Sequence, residues 1–173
     1  ILKWVIKKPL AHILKDKMIQ PSILALTGLI LLLINNYMWN LPLINPLLIN
    51  VPIVEGEYEG FVKIEHLNNN KPAEKSDVKV KIRQTGTSTY FDLYSSKGSH
   101  SSGLVTEFVY LNGNWKMLQI YENKNLANPM NVNHYLGMAE FEIPDNYPKE
   151  IKGRFSTDFT RKTFGTVILK KSE

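Results

Sequence analysis

The pattern of apolar and polar positions changes character sharply at residue 55. From Met18 to Val54 no residue carries a formal charge, 37 positions in a row, whereas after Glu55 charged residues recur every few positions. The most apolar part of the uncharged stretch is Ile23–Ile34, ILALTGLILLLI, and Tyr37 and Trp39 follow it. Crossing the hydrocarbon of a bilayer takes about 20 residues. Pro21 to Trp39 barely reaches that length and ends in an aromatic pair suited to the membrane–water boundary. A helical transmembrane segment is expected here. The competing readings are a signal peptide or a buried helix. A signal peptide should end in small residues at a cleavage site, and NNYMWNLPLINP offers none.

Upstream, residues 1–20 read as a short basic amphipathic helix interrupted by Pro9, with Trp4, Val5, Ile13, Leu14 and Ile19 among lysines. Downstream, Pro42, Pro46 and Pro52 stand close enough to stop both helix and central strand, so this stretch reads as a stiff linker. Residues 1–54 are thus expected to anchor the chain, and residues 55–173 to form the folded domain. From Glu55 the period is two. Glu57, Glu59, Lys63 and Glu65 alternate with Tyr58, Gly60, Val62 and Ile64, and Lys79, Lys81 and Arg83 with Val78, Val80 and Ile82. That alternation predicts half-buried strands. Further strands are expected near 89–95, 103–111, 115–122, 134–143, 150–158 and 163–170, with tight turns at Asn112-Gly113-Asn114 and at Asp145-Asn146. Eight antiparallel strands without a helix among them predict an all-β, lipocalin-like barrel, because closure removes exposed edges.

Charge adds one point and cysteine another. The net charge is +5, but Lys3, Lys7, Lys8, Lys15 and Lys17 against Asp16 place +4 of it in the first 17 residues. The rest is near neutral, which argues against a face for a nucleic-acid polymer and for membrane lipids as partners. With no cysteine, disulfide scaffolds, thiolate metal sites and thiol nucleophiles are excluded. The four histidines show no metal-ligand spacing, and no nucleophile elbow or phosphate-binding glycine loop is present. No catalytic residue, metal or cofactor is expected.

What remains is polar residues in the inward phase of the later strands. Ile151, Gly153, Phe155 and Thr157 share one face, and Arg161 and Thr163 follow. Hydroxyls and a guanidinium would meet near the barrel mouth, where Arg gives phosphate two parallel charge-assisted bonds. Alternatively, Arg161 and Lys162 simply cap a hairpin in water. Trp115, Met117, Gln119, Tyr121 and Asn123 share the inner face of the fifth strand. They are either base-stacking and base-reading groups or ordinary core aromatics. The serine-rich stretch Ser95–Ser102 reads most simply as a flexible loop, or as a set of donors at the rim.

In order and spacing, these elements resemble the barrel of the CD-NTase-associated membrane effectors of bacterial CBASS anti-phage defence. The matching features are the serine run, Tyr121 with Asn123, His134 with Gly137, Gly153 with Phe155 and Thr157, Arg161 with Thr163, Gly165, and the G-x-Y-x-G strand at Gly56, Tyr58 and Gly60. Gln119 departs from the pattern, which has a second tyrosine there. The family is also expected to carry two N-terminal spans, where one is legible here.

The resemblance implies a receptor–effector at the bacterial inner membrane with its barrel in the cytosol. A partner CD-NTase would make a cyclic di- or oligonucleotide. The barrel would bind it, homo-oligomerise and disrupt the membrane, killing the cell abortively. Implied ligand-binding residues are Tyr121 for stacking, Asn123, Thr157 and Thr163 for polar contacts, Arg161 for phosphate and His134 for phosphate or anchoring. The basic cluster before a single span would instead put the barrel outside, unless residues 1–20 lie along the interface or the apolar run does not cross completely. The competing functions are a lipocalin-like carrier of an apolar ligand and a membrane-tethered adaptor; an enzyme comes last.

Overall fold

A strand buried on one face repeats its side chains every two residues, and the computed structural model carries that repeat around a ring. It describes residues 10–66, 73–125, 135–158 and 163–172. Among the described residues eight strands run β1 (Gly56–His66), β2 (Glu74–Gln84), β3 (Thr89–Ser95), β4 (Ser99–Leu111), β5 (Asn114–Asn125), β6 (Tyr135–Ile143), β7 (Glu150–Thr157) and β8 (Thr163–Lys171). Each is antiparallel to the next, and β8 pairs back onto β1 to close the barrel. In β2 every second residue from Ser76 to Gln84 is buried and those between are exposed.

Two departures from the expected strands have physical causes. The serine-rich stretch is not a loop throughout. Only Ser96–Gly98 turns, with Gly98 at φ 82°, and Ser99–Ser102 open β4. Serines on both faces give no apolar period, so the strand leaves no trace in the pattern. The other departure is a bulge between Gly103 and Val105. It puts Leu104 and Val105 both outside, 56% and 47% exposed. The hairpin at Asn112-Gly113 forms as expected, with both residues at positive φ.

The lower end of the barrel is filled. Ile82, Met117, Ile143, Ile151 and Leu169 are buried there, and Pro52–Val54 cross beneath them. Gln84 holds this crossing as a second strand would. It accepts the Val54 N–H at 2.9 Å and donates to Pro52 O at 2.9 Å. The Tyr58 hydroxyl donates to Val54 O at 2.8 Å. Burial, with Asp145 adding to it, pushes the Tyr58 phenol up to about 12. The expected domain boundary after Val54 falls inside this clamp.

The N-terminal segment differs from its expected layout. One helix, α1 (Leu10–Leu33), runs through Pro21. The ring costs one hydrogen bond of the ladder, but the leucine-rich turns beyond it are strong helix formers and carry the helix on. Single π-turns follow at Ile34–Met38, inside the expected transmembrane segment, and at Asn45–Ile49, inside the stretch expected to be a stiff linker. Trp39, expected at a membrane boundary, is 2% exposed. It packs beside the β2–β3 turn, where Gly86 N donates to Asn35 O at 2.9 Å and a Cβ at Gly86 would touch Asn35, Trp39 and Ile49. No helix among the described residues is long and apolar enough to cross a membrane. The uncharged part of α1, Met18–Leu33, reaches about 24 Å, short of a hydrocarbon core of about 30 Å.

Candidate functional site

The upper half of the barrel has a different interior. Its inward positions carry Ser76, Ser95, Ser99, Ser101, Gln119, Asn123, Thr157 and Thr163, above a floor of Val62, Val78, Phe141 and Val167. These side chains line a cavity of about 90 Å³. Hydroxyls and amides pair around its wall. Ser76 Oγ lies 2.7 Å from Ser95 Oγ. Asn123 Nδ2 donates to Ser101 Oγ. Thr163 N donates to Thr157 Oγ1 at 2.9 Å, and Thr157 Oγ1 donates to Thr163 O at 3.1 Å, with the two hydroxyls 2.9 Å apart. The two threonines thus latch β7 to β8 where those strands end.

Of the expected ligand-binding residues, the structure brings Tyr121, Asn123, Thr157 and Thr163 to this one cavity. His134 and Arg161 lie outside the described residues. The inward phases expected for β5 and β7 are those observed. Ser76, Ser99, Ser101 and Gln119 complete the polar wall. Ser76 could have been found in sequence, because it keeps phase with Val78, Val80 and Ile82.

Three of the aromatic residues of the cavity are seated by glycines. Tyr121 faces Gly137 across β5–β6, Phe141 faces Gly153 across β6–β7, and Phe155 faces Gly165 across β7–β8. A Cβ at Gly137 would overlap Cζ and Oη of Tyr121; one at Gly153 would overlap Phe141 Cδ1; one at Gly165 would come within 2.8 Å of Phe155 Cε1. Each ring therefore lies flat across the neighbouring strand, with its seat open only because the partner lacks a side chain. Covering an inward glycine with an aromatic neighbour also restores the packing the glycine gives up. The result is three fixed rings stepping around one wall, the kind of rigid apolar face that stacks a flat ligand.

Two polar atoms in this cavity have no partner among the described residues: Gln119 Nε2 and Asn123 Oδ1. Both residues are at least nine-tenths buried, at 4% and 5% exposure. A buried amide left unpaired costs about 1–3 kcal/mol, so such groups mark positions where a ligand can supply the missing bond.

Outside the barrel, Asp92, His100 and Ser102 cluster on β3 and β4. The contact geometry is not that of a proton relay. Nε2 of His100 faces both Ser102 Oγ, at 3.2 Å, and Asp92 Oδ1, at 3.4 Å, while Ser102 itself donates to Asp92 at 3.0 Å. A relay needs the carboxylate and the hydroxyl on opposite ring nitrogens. The ring stacks on Tyr94 at 4.4 Å instead.

Comparison with known proteins agrees with this geometry. No curated protein matches the chain, but the family model described as "Cap15, cyclic dinucleotide receptor domain" matches residues 49–171, from the π-turn before the clamp to the last residue of β8. The chain therefore belongs to the Cap15 cyclic dinucleotide receptor family, an effector domain of CBASS defence.

Proposed function

We propose that this chain is a CBASS antiviral effector whose barrel binds a cyclic dinucleotide at its polar end. Ligand-bound copies then assemble in the bacterial inner membrane and disrupt it, ending the infected cell. The observation that carries the reading is the pairing of glycine-seated rings with unpartnered amide atoms in one cavity. At about 90 Å³, that cavity is smaller than a typical small-molecule pocket of roughly 300 Å³ or more. The ligand therefore rests across the polar end and sends one base inside. Tyr121 stacks that base, Asn123 reads its edge, and Thr157 and Thr163 give polar contacts from the cavity wall. Arg161 and His134, outside the described residues, serve the phosphates in this reading, Arg161 through two parallel charge-assisted bonds. The role is binding, not catalysis, and the ligand comes from a partner CD-NTase.

The membrane part rests on α1 and on the outer barrel wall. From Ile23 to Leu33 α1 exposes leucine and isoleucine on every face, which is unsuited to water and suited to lipid. It enters the barrel at the clamped end, so the polar end faces away from the bilayer, into the cytosol. For assembly, among the described residues β4 pairs with β3 only through His100–Ser102, leaving that edge without a strand there from Gly103 to Leu111. Val105, Ile120 and Met138 form an exposed apolar row beside it. An edge without lysine or proline is a ready template for a second copy.

Dye release from vesicles reconstituted with the full chain tests the proposal. Cyclic dinucleotide should trigger release, and linear dinucleotide should not. Release that is absent with every cyclic species, or equal without ligand, contradicts it.

A further inference from the structure

Four inward side chains of the upper barrel lie over glycines. Three are the rings of Tyr121, Phe141 and Phe155. The fourth is Gln119, whose Nε2 occupies the space that a Cβ at Gly103 would take. Gln119 is thus the one carboxamide among these glycine-seated groups. It is 4% exposed, it lines the cavity, and its Nε2 has no partner among the described residues.

The β4 bulge turns a second polar group toward Gln119, although that residue, Thr106, borders the outer pocket beside the β2–β3 turn and not the cavity. Gly103 faces inward opposite Tyr121, and regular alternation would turn Val105 inward and Thr106 outward. The extra residue at the bulge shifts the phase, so Thr106 stands opposite Gln119. Bulges re-aim side chains in this way beside functional sites. Thr106 Oγ1 is also buried without a partner among the described residues, and it lies 3.2 Å from the same missing Cβ of Gly103. Two neighbouring orphaned groups, one brought in by an irregularity of the strand, are poor economy for a core and good preparation for a ligand.

We infer that Gln119 is a specificity-determining residue of the site. Its Nε2 donates to a carbonyl oxygen or ring nitrogen on the edge of the base that enters the barrel. The inference rests on the proposed cyclic-dinucleotide reading and deepens it. A site built to hydrogen-bond a ligand group discriminates strongly against ligands lacking that group, because its own buried atoms are then left unpaired.

The test is calorimetric titration of the full chain in detergent against cyclic dinucleotides differing in one base. Wild type, Gln119→Leu, Gln119→Glu and Gly103→Ala are compared, each with a thermal unfolding control. Gln119→Leu should weaken the preferred species roughly tenfold, the loss of one net hydrogen bond, and leave the poorest binder nearly unchanged, so that the ranking flattens. Gln119→Glu keeps the shape but loses the amide donor when ionised, so at high pH it should act likewise. Gly103→Ala should produce the same flattening by displacing the amide. An unchanged ranking in folded variants overturns the inference while leaving the binding function intact. A wild-type chain that binds no cyclic species overturns both.

Discussion

The two ends of the barrel are made by the same eight strands and hold opposite interiors. At the lower end Ile82, Met117, Ile143, Ile151 and Leu169 are buried, and the buried amide of the clamp, Gln84, spends both ends on Pro52 and Val54. At the upper end Gln119 and Asn123 are as deeply buried, yet each keeps an atom without a partner among the described residues. One end therefore holds the fold closed, and the other keeps free energy in reserve that only a ligand can recover. Stability and binding are divided along the barrel axis.

Mutations should separate the two ends. Leu169→Ala empties a fully buried position at the clamped end and should cost about 2–5 kcal/mol of unfolding free energy. Denaturant titration reads this, and ligand affinity of the folded fraction should not move. Alkaline pH should weaken the same end. The Tyr58 phenol titrates at about 12 in the fold and near 10 when unfolded. Above pH 10 the unfolded chain loses this proton first, so stability is full below pH 10 and falls as pH rises through 12. The loss approaches about 3 kcal/mol, and Tyr58→Phe should remove that part of the slope. Gln84→Leu should cost about 1–3 kcal/mol by leaving Val54 N–H and Pro52 O unpaired; thermal unfolding measures it. At the upper end the signs change. Asn123→Ala removes a buried unpaired oxygen along with one bond to Ser101, so stability should shift by less than about 1 kcal/mol. Affinity for cyclic dinucleotide should fall roughly tenfold.

The lower end was the more legible in sequence. Apolar residues in strict alternation, as at Val78, Val80 and Ile82, state both the strand and its inner face. The upper end was legible only where polar residues continue an apolar phase, as Tyr121 and Asn123 continue Trp115 and Met117, or Thr157 continues Ile151 and Phe155. The start of β4 among the serines gave no phase to continue. The bulge at Gly103 was hidden as well, since both Leu104 and Val105 are apolar and only pairing with β5 shows that neither points in. The glycine seats depend on cross-strand register, which lies outside any single strand. Gly137, Gly153 and Gly165 appeared in the sequence as motif letters, and the register turned them into seats for rings. The clamp was missed because proline near Val54 reads as linker, whereas Gln84, thirty residues later, supplies its bonds.

The most direct test of the account is calorimetric titration of the full chain in detergent against a panel of cyclic dinucleotides, with linear dinucleotides as controls. A cyclic dinucleotide receptor should show saturable binding to at least one cyclic species, micromolar or tighter, and none to the linear forms. A folded chain that binds none of the panel, or binds linear and cyclic forms alike, would contradict it.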